Sequence, residues 1–600
     1  MNIAVLGAGG REHALVWRLR RDGHRVTAMP GSAGIGDCLP VDLNDDDAIV
    51  AALQQFRAEL VVIGPEGPLA RGLADVLRQH GLLVVGPGIT GAQLEASKAF
   101  AKAFMVRHGV ATARAVTVHG MGEALDALPQ FAHGVVMKFD GLAAGKGVIV
   151  CDTVAEAEQA VRMLTSRHGN EATLVLEEKL RGREVSVLAL VDGTTALVLP
   201  PAQDHKRLLD GDKGPNTGGM GAYCPVPWFT PAMLSEVRRL IIDPTLRGLQ
   251  HDGIAFRGVI YFGVMVTAGG PKLLEYNARF GDPETQVVLP QIAGDFGELL
   301  HRTATAALAG AAVKTVHGFS VGVVLAAANY PDKPELGVPI QWDEQRVPLC
   351  FHAGTAEVGG HWHSNGGRVL TVVGRGDVFE LAQSNAYAAV AQIDFPRHQH
   401  RSDIGKQALP RRAAILFSGR GSNLGALLAQ AHTGCLAGLA EVVLAVTNVP
   451  AAGGLEVARH AGVPTLVLPS QGKPRAEFDA ELVATLQRHR VQLVVLAGFM
   501  RILSPAVVAA FPRRIINIHP ADTRAHQGLH GYEWAQAQGL AETLVTAHLV
   551  DAGLDTGPIL AQATVDLRGA RDIDEIVDRG LAVEHAMYGR AIADYVLENL

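Results

Sequence analysis

Lysine and arginine never gather into a long run in this 600-residue chain, and the formal net charge is −7. That argues against nucleic acid or an anionic membrane surface as the main partner. The five cysteines (Cys38, Cys151, Cys224, Cys350, Cys435) stand apart without C-x-x-C spacing. Neither a disulfide framework nor a thiolate zinc site is expected, and a reducing compartment fits. No apolar run approaches the ~18 residues of a membrane span. The opening "MNIAVLGAGGREH" has no basic stretch ahead of an apolar one, so it reads as a strand entering a turn, not a signal peptide. These absences point to a cytoplasmic protein. What is plentiful is glycine, 68 residues, which suggests tight strand-to-helix turns or phosphate loops.

The length exceeds what one hydrophobic core supports, so several domains are expected. Strand, glycine turn and helix alternate from the start: "NIAVLGAGG" before "REHALVWRLRRDG", then "ELVVIGPEGP" before "LARGLADVLRQHG". This pattern predicts a parallel α/β domain over 1–102. Longer, paired strands over 103–329 indicate an α+β domain, and 330–407 reads as a small β-rich module. The polar, basic "PRHQHRSDIGKQALPRR" (396–412) reads as a linker or the frayed end of a domain, with 408–412 as the link itself. From 413 to 600 the opening theme returns in a second α/β domain. The fold class is thus α/β and α+β, multidomain.

"GAGGREH" (7–13) joins a strand to a helix, so Gly9 and Gly10 suit an anion at a helix N-terminus. A plain tight turn is the alternative. Glu12 stands where the dinucleotide fingerprint needs its third glycine, so a substrate phosphate fits better than NAD. In "VVMKFDGLAAGKGV" (135–148), Lys138 lies in an apolar strand, where a lone ammonium is costly without an anion. Lys146 lies in a glycine-rich loop that can approach phosphates, unless the pair are snorkelling lysines of a surface hairpin. Glu177, Glu178 and Glu184 offer acceptors for an adenine amino group and ribose hydroxyls. Glu275 and Asn277 share one strand face, with Arg279 nearby, and suit a Mg²⁺ (or Mn²⁺) that bridges phosphate oxygens. Each motif alone could be a solvated strand edge.

In this order the motifs resemble the ATP-grasp ligases. "GAGGREHAL", "GPEGPLARG", "SKAFAK", "DGLAAGKGV", "QDHKRLLDGDKGPNTGGMGAY" and "EYNARFGDPETQ" are similar to those of the phosphoribosylamine–glycine ligases, over residues 1 to about 407. The resemblance implies a Rossmann-like N-terminal domain, an ATP-grasp domain and a small C-terminal module. It implies that ATP converts the glycine carboxylate to an acyl phosphate, which the amine of phosphoribosylamine attacks. Lys138, Lys146 and a metal on Glu275 and Asn277 would neutralise the transferring phosphoryl group, with Arg279 also catalytic. Gly9, Gly10, Asp204, His205, Lys206, Arg207, Asn216 and Asp282 would bind the ligase substrates.

The second α/β domain has its own glycine loop, "SGRGSN" (418–423), where Ser422 and Asn423 can donate to a phosphate and Arg475 can act as a second clamp. In "QLVVLAGFMRILSP" a buried strand breaks at Gly498; Phe499, Met500 and Ile502 either join the core or wall a pocket for a flat ring. "IINIHP" puts Asn517 and His519 on one face of a strand. Such a pair is often structural. Asp555 in "GLDTGP" would complete a set of amide, acid and carboxylate, and a nearby carboxylate raises a histidine's pKa.

"SGRGSNL", "VVLAGFMRILSP", "NIHP", "GLDTGPI" and "EHAMYGRAI" resemble the glycinamide ribonucleotide formyltransferases, over about 412 to 600. The resemblance implies a Rossmann-like domain and 10-formyltetrahydrofolate as formyl donor. By it Gly421, Ser422, Asn423 and Arg475 hold the ribotide phosphate and Glu584 faces the substrate. Met500, Arg501, Ile502 and Leu503, with the loop before Asp555, hold the pterin. His519 is the proton donor, Asn517 the oxyanion partner and Asp555 the group that raises the histidine's pKa.

This family usually continues "NIHP" with Ser-Leu-Leu-Pro, whereas this chain has "ADTRAHQG" (521–528). The expected function is a bifunctional purine-synthesis enzyme whose partners are small molecules, namely phosphoribosylamine, glycine and glycinamide ribonucleotide. Its oligomeric state stays open. Two rivals keep the ligase: a C-terminal formyltransferase for another amine, or a non-catalytic module that binds folate or ribotide. "HWH" (361–363), His352 and "HQH" (398–400) lack the spacing of a metal site and are set aside.

Overall fold

Four apolar runs, Asn2–Gly7, Arg25–Pro30, Leu60–Ile63 and Leu83–Val85, pair as parallel strands in the order second, first, third, fourth. Chain order reverses beside Asn2–Gly7, so the strand ends there open onto a crevice of the kind where α/β sheets bind ligands. The computed structural model describes residues 1–141, 147–347 and 349–600. These fall into two compact units, Met1–Lys406 and Gln407–Leu600.

In the first unit two antiparallel sheets follow the parallel one. One orders its strands Ala115–His119, Thr173–Glu178, Val135–Phe139, Val148–Cys151. The other orders Ala196–Val198, Arg183–Val191, Gly258–Thr267, Gly270–Asn277. The β-rich stretch from 330 onward adds strands to a sheet begun earlier in the chain. Its strands Cys350–His352 and Arg368–Gly376 share a five-stranded sheet with Gln203–Asp204, Gly221–Cys224 and Phe319–Ala326. One apolar core joins the parts, from Ile3 and Leu15 through Leu188 and Val287 to Phe351 and Val373. The stretch 396–412, read as a linker or the frayed end of a domain, spans the junction between the two units at Lys406 and Gln407. Arg401 is 1% exposed and Ile404 and Ala408 are fully buried, while Arg411 already opens a strand of the second unit. A polar composition does not distinguish a tether from a segment whose charges are paired inside the fold.

The second unit is a seven-stranded sheet. Its order is Thr465–Val467, Ala440–Thr447, Arg411–Phe417, Leu493–Leu496, Ile515–His519, Glu542–Leu549, Ile559–Asp566. The first five are parallel and the last two antiparallel. Here too order reverses at the first strand of the unit, Arg411–Phe417, and the helix Ser422–Thr433 starts just beyond its end. Among the described residues no helix is long and apolar enough to cross a membrane.

Candidate active sites

In the first unit, Lys138 on Val135–Phe139 reaches across to the neighbouring sheet and donates to the Leu274 carbonyl at 2.7 Å. Glu177 meets it from the adjacent strand. Its carboxylate sits between Lys138 and Lys102, 3.1 Å from each, and all three are buried. Glu177 is therefore engaged with two ammonium groups, and Glu178 accepts from the Arg114 N–H at 2.9 Å. Lys146 lies outside the described residues.

Glu275 faces a ring of cations. Burial would raise its pKa, but Lys206, Lys138, Lys98 and Arg279 together hold it below the usual glutamate value. It is therefore ionised and ready to act as an oxygen ligand, two residues from Asn277 on the same strand. Arg279 is packed among carboxylates, 2.8 Å from Glu95 and 3.3 Å from Glu66. Despite burial, those charges drive its pKa upward. Lys206 bonds Glu184 at 2.8 Å and stands 3.9 Å from Glu275. Asp204 beside them is pushed up to about 8, by burial first and, against the pull of Lys206, by Glu284, Glu184 and Glu275. Asp282 accepts from Gln286 at 2.8 Å and lies 3.4 Å from Arg368.

The glycine loop corrects one expectation. Glu12 occupies the third-glycine position because its carboxylate is tucked back under the loop. It accepts the Gly9 N–H at 2.7 Å and pairs with Arg11 at 2.6 Å. A Cβ on Gly64 would lie 2.0 Å from it. The Gly9 N–H is thus not free for an external anion. Lys98, Lys102, Glu95, Glu66 and Arg368 do not stand out in the sequence; "SKAFAK" is the available signal for the two lysines. Lys138 and Lys206 meet at Glu275, with Asn277 and Arg279 following on the same chain segment and Asp204 alongside. Arg207 and Asn216 lie on a separate hairpin, where Arg207 donates to the Gly214 carbonyl at 2.8 Å.

Among the described residues, His108, His251 and Asp252 form a cluster with metal-ligand spacing. Arg107 already holds the Asp252 oxygen that faces His108, at 2.5 Å, which opposes a cation there. His352 packs against Trp362 and Trp342.

In the second unit, Asn517, His519 and Asp555 converge. The Asn517 amide donates to Asp555 Oδ1 at 3.3 Å, and His519 Nδ1 is 3.5 Å from Oδ2. His548, opposite Asn517 on the next strand, is a third imidazole here, 3.4 Å from Asp555. Asp555 also accepts the Gly528 N–H at 2.9 Å, which ties the 521–528 loop to the set. His519 Nε2 bonds the His526 carbonyl at 3.0 Å, and the His526 ring stacks on Trp534 at 4.9 Å. The substituted loop thus reaches the histidine directly.

The expected upward shift of His519 is corrected. Burial lowers its pKa, and the charge of His548 pushes the same way; Asp555 and the hydrogen bond to the His526 carbonyl oppose them but do not prevail. The ring rests neutral near pH 7.

Gly421 begins the helix Ser422–Thr433 in the left-handed region (φ 86°), and a Cβ on it would lie 2.5 Å from the Gly454 Cα. Asn423 donates to Glu584 at 2.5 Å and Tyr532 donates to it at 2.6 Å, all three buried. Glu584 is therefore part of this buried network beneath the loop. Arg475 opens the helix Arg475–Arg488 and donates to the Leu503 carbonyl. The "FMRIL" stretch divides. Phe499 and Leu503 are in the core and Arg501 lies over the Phe478 ring at 4.4 Å, while Met500 and Ile502 are exposed.

The comparisons with known proteins follow this division. The family models for phosphoribosylglycinamide synthetase match as N domain over 1–95, ATP-grasp (A) domain over 96–285 and C domain over 320–407. The formyl transferase model matches 411–592. A phosphoribosylamine–glycine ligase of Ralstonia nicotianae is 44% identical over 422 residues, 68% of this chain and 100% of its own. A crystal structure of phosphoribosylamine–glycine ligase from Thermotoga maritima matches with TM-score 0.61 and 36% identity, covering 67% of this chain and 100% of that one. Glycinamide ribonucleotide transformylase 1 from Symbiobacterium toebii is 38% identical, covering 31% of this chain and 88% of that one, with TM-score 0.30. The chain belongs to the phosphoribosylamine–glycine ligase family and carries a formyl transferase domain behind it in the same polypeptide.

Proposed function

We propose that the first unit joins glycine to 5-phosphoribosylamine at the expense of ATP, and that the second formylates the resulting glycinamide ribonucleotide from 10-formyltetrahydrofolate. The observation that carries the second half is the convergence of Asn517, His519 and Asp555 from two distant segments onto one strand end.

In the ligase, a glycine carboxylate oxygen attacks the γ-phosphorus and ADP departs. The phosphoribosylamine nitrogen then attacks the acyl carbon and phosphate departs. Glu275 and Asn277 would hold a divalent metal that screens the phosphate oxygens, and the ionised state of Glu275 fits that role. Lys138 and Arg279 add fixed positive charge where the transferring group passes. Lys206 and Asp204, with Arg207 and Asn216 on the following hairpin, border the amine acceptor.

In the transferase, the substrate amine attacks the formyl carbon and negative charge grows on oxygen. The Asn517 amide donates to that oxygen, and the His519 nitrogen that takes the substrate proton can donate to it in turn. The new charge and Asp555 together favour the imidazolium that burial alone disfavours, so the proton from the attacking nitrogen is accepted as the charge appears. The ring then returns a proton to the departing folate nitrogen. Gly421, Ser422, Asn423 and Arg475 surround the ribotide phosphate, and exposed Met500 and Ile502 border the pterin.

The His526 carbonyl on His519 Nε2 favours a second reading, in which this unit binds its ligands without transferring the formyl group. Formyl transfer by the full chain, with His519→Ala as control, separates them. Turnover lost in the control supports transfer; folate binding without turnover supports the rival.

A further inference from the structure

The hairpin Arg207–Leu209 and Lys213–Asn216 follows directly on Asp204 and Lys206 in the ligase site. In the link between these strands, neighbouring side chains have opposite surroundings. Lys206 meets Glu184 and Glu275, whereas His205 turns away and accepts the Gly405 N–H on Nε2 at 3.1 Å. Residues 401–405 form a brace along that other side.

The brace grips the hairpin tip at several points. Arg401, 1% exposed, donates to Asp212 Oδ1 at 2.7 Å and to the Arg207 carbonyl at 3.2 Å. Its remaining nitrogens form a fork on Asp403 at 2.7 and 2.9 Å. Asp403 in turn accepts the Gly211 N–H at 2.8 Å. The Ser402 N–H donates to Asp210 at 2.8 Å, and its hydroxyl donates to the other oxygen of the same carboxylate. At the tip, Asp212 sits at positive φ (55°) between Gly211 and Gly214 (70° and 79°), which adopt it without cost. Asp212 occupies a conformation that L side chains rarely adopt.

We infer that Arg401, Ser402 and Asp403 position the 204–216 segment for its substrate, making this brace a determinant of phosphoribosylamine binding in the ligase. None of the three is within reach of the reacting atoms through the contacts described; they act through Lys206, Arg207 and Asn216. The assignment rests on the reading of those residues as the acceptor side of the ligase. A buried guanidinium suits this role, because its planar fork fixes direction as well as charge, which a lysine ammonium does not.

The test uses the full chain with Asp212→Asn, Ser402→Ala and Arg401→Lys, and measures KM for phosphoribosylamine, glycine and ATP separately. Removing Arg401 outright would strand buried carboxylates and endanger folding, so the milder variants carry the test. Each is expected to raise KM for phosphoribosylamine by about fivefold to tenfold, the loss typical of one net hydrogen bond. KM for ATP and kcat should stay within about twofold, the pattern of lost ground-state binding. Asp212→Glu should recover part of the loss. If all three variants keep the wild-type KM for phosphoribosylamine while Lys206→Ala loses ligation, the brace has no positioning role. A parallel fall in kcat and in every affinity, with a lowered melting temperature, would mark it as merely structural and also overturn the inference. If Lys206→Ala leaves ligation untouched, the reading of the acceptor side fails instead.

Discussion

Replacing Asp555 by asparagine should lower the pKa of His519 still further. The two side chains are 4% and 11% exposed, and the nearest nitrogen and oxygen are 3.5 Å apart. At an effective dielectric of about 20, a full charge pair at that separation is worth about 5 kcal/mol, an upper figure before competing solvation is counted. Even a third of it moves the histidine by about one pKa unit. Asparagine keeps an acceptor for the Gly528 N–H, so the loop stays tied while the charge goes. The assay is a ¹⁵N-histidine NMR titration of the full chain, with His519→Gln identifying the resonance. Wild-type His519 should titrate below 6.5, because burial disfavours its charged form, and Asp555→Asn should move that midpoint down again. Formyl transfer at pH 7 should fall by about 10²–10³, the usual cost of disabling one group that stabilises an oxyanion. A midpoint that stays put or rises, or a rate loss under about threefold, would refute this account of the pair.

Other expectations are simpler to check. Chelation by EDTA should stop ADP formation and leave formyl transfer intact, since only the ligase half has a proposed metal site. Glu177→Ala should destabilise the first unit by about 3–5 kcal/mol in urea unfolding, because it leaves Lys102 and Lys138 buried without their counter-charge. Gly421→Ala should impair ribotide binding and stability together, since its Cβ meets Gly454 backbone and its φ is positive. The first unit should also weaken in mild acid. His13, His205 and His352 are lowered to about 3, 4 and 4 by burial. Each contributes stability above pH 6.5 that is lost as pH falls toward the folded value. Asp204, raised to about 8, works in the opposite direction over the same window. The net difference of two protons (three minus one) gives a slope of up to about 2.7 kcal/mol per pH unit between pH 6 and 4. A flat unfolding free energy over that range would contradict it.

Much of this is legible in the sequence, for reasons particular to each feature. Asn517 and His519 share a spot because strand alternation is a local rule, and Glu275 with Asn277 follows the same rule. The parallel strands of both units are announced by apolar runs punctuated with glycine. What escapes is long-range. Nothing near Glu177 in the sequence says that Lys102 and Lys138 close on it from two other elements. Nothing near Arg401 says that its charge is buried on a hairpin almost two hundred residues earlier, so a polar run reads as a linker or the frayed end of a domain. The sign of the His519 shift is hidden because the pair with Asp555 is visible in motif spacing, whereas burial and His548 emerge only once the strands are assembled. The substituted loop shows both sides of this. Its length and glycine are readable, but the hold of the His526 carbonyl on His519 is not.

The central claim is that one chain carries out both steps. The direct measurement supplies the full chain with glycine, phosphoribosylamine, ATP, Mg²⁺ and 10-formyltetrahydrofolate, and follows the products by mass. Formylglycinamide ribonucleotide should form in step with ADP, and His519→Ala should stop at glycinamide ribonucleotide with ADP release unchanged. Accumulation of glycinamide ribonucleotide by the unaltered chain, or formylated product from His519→Ala at the wild-type rate, would contradict the account.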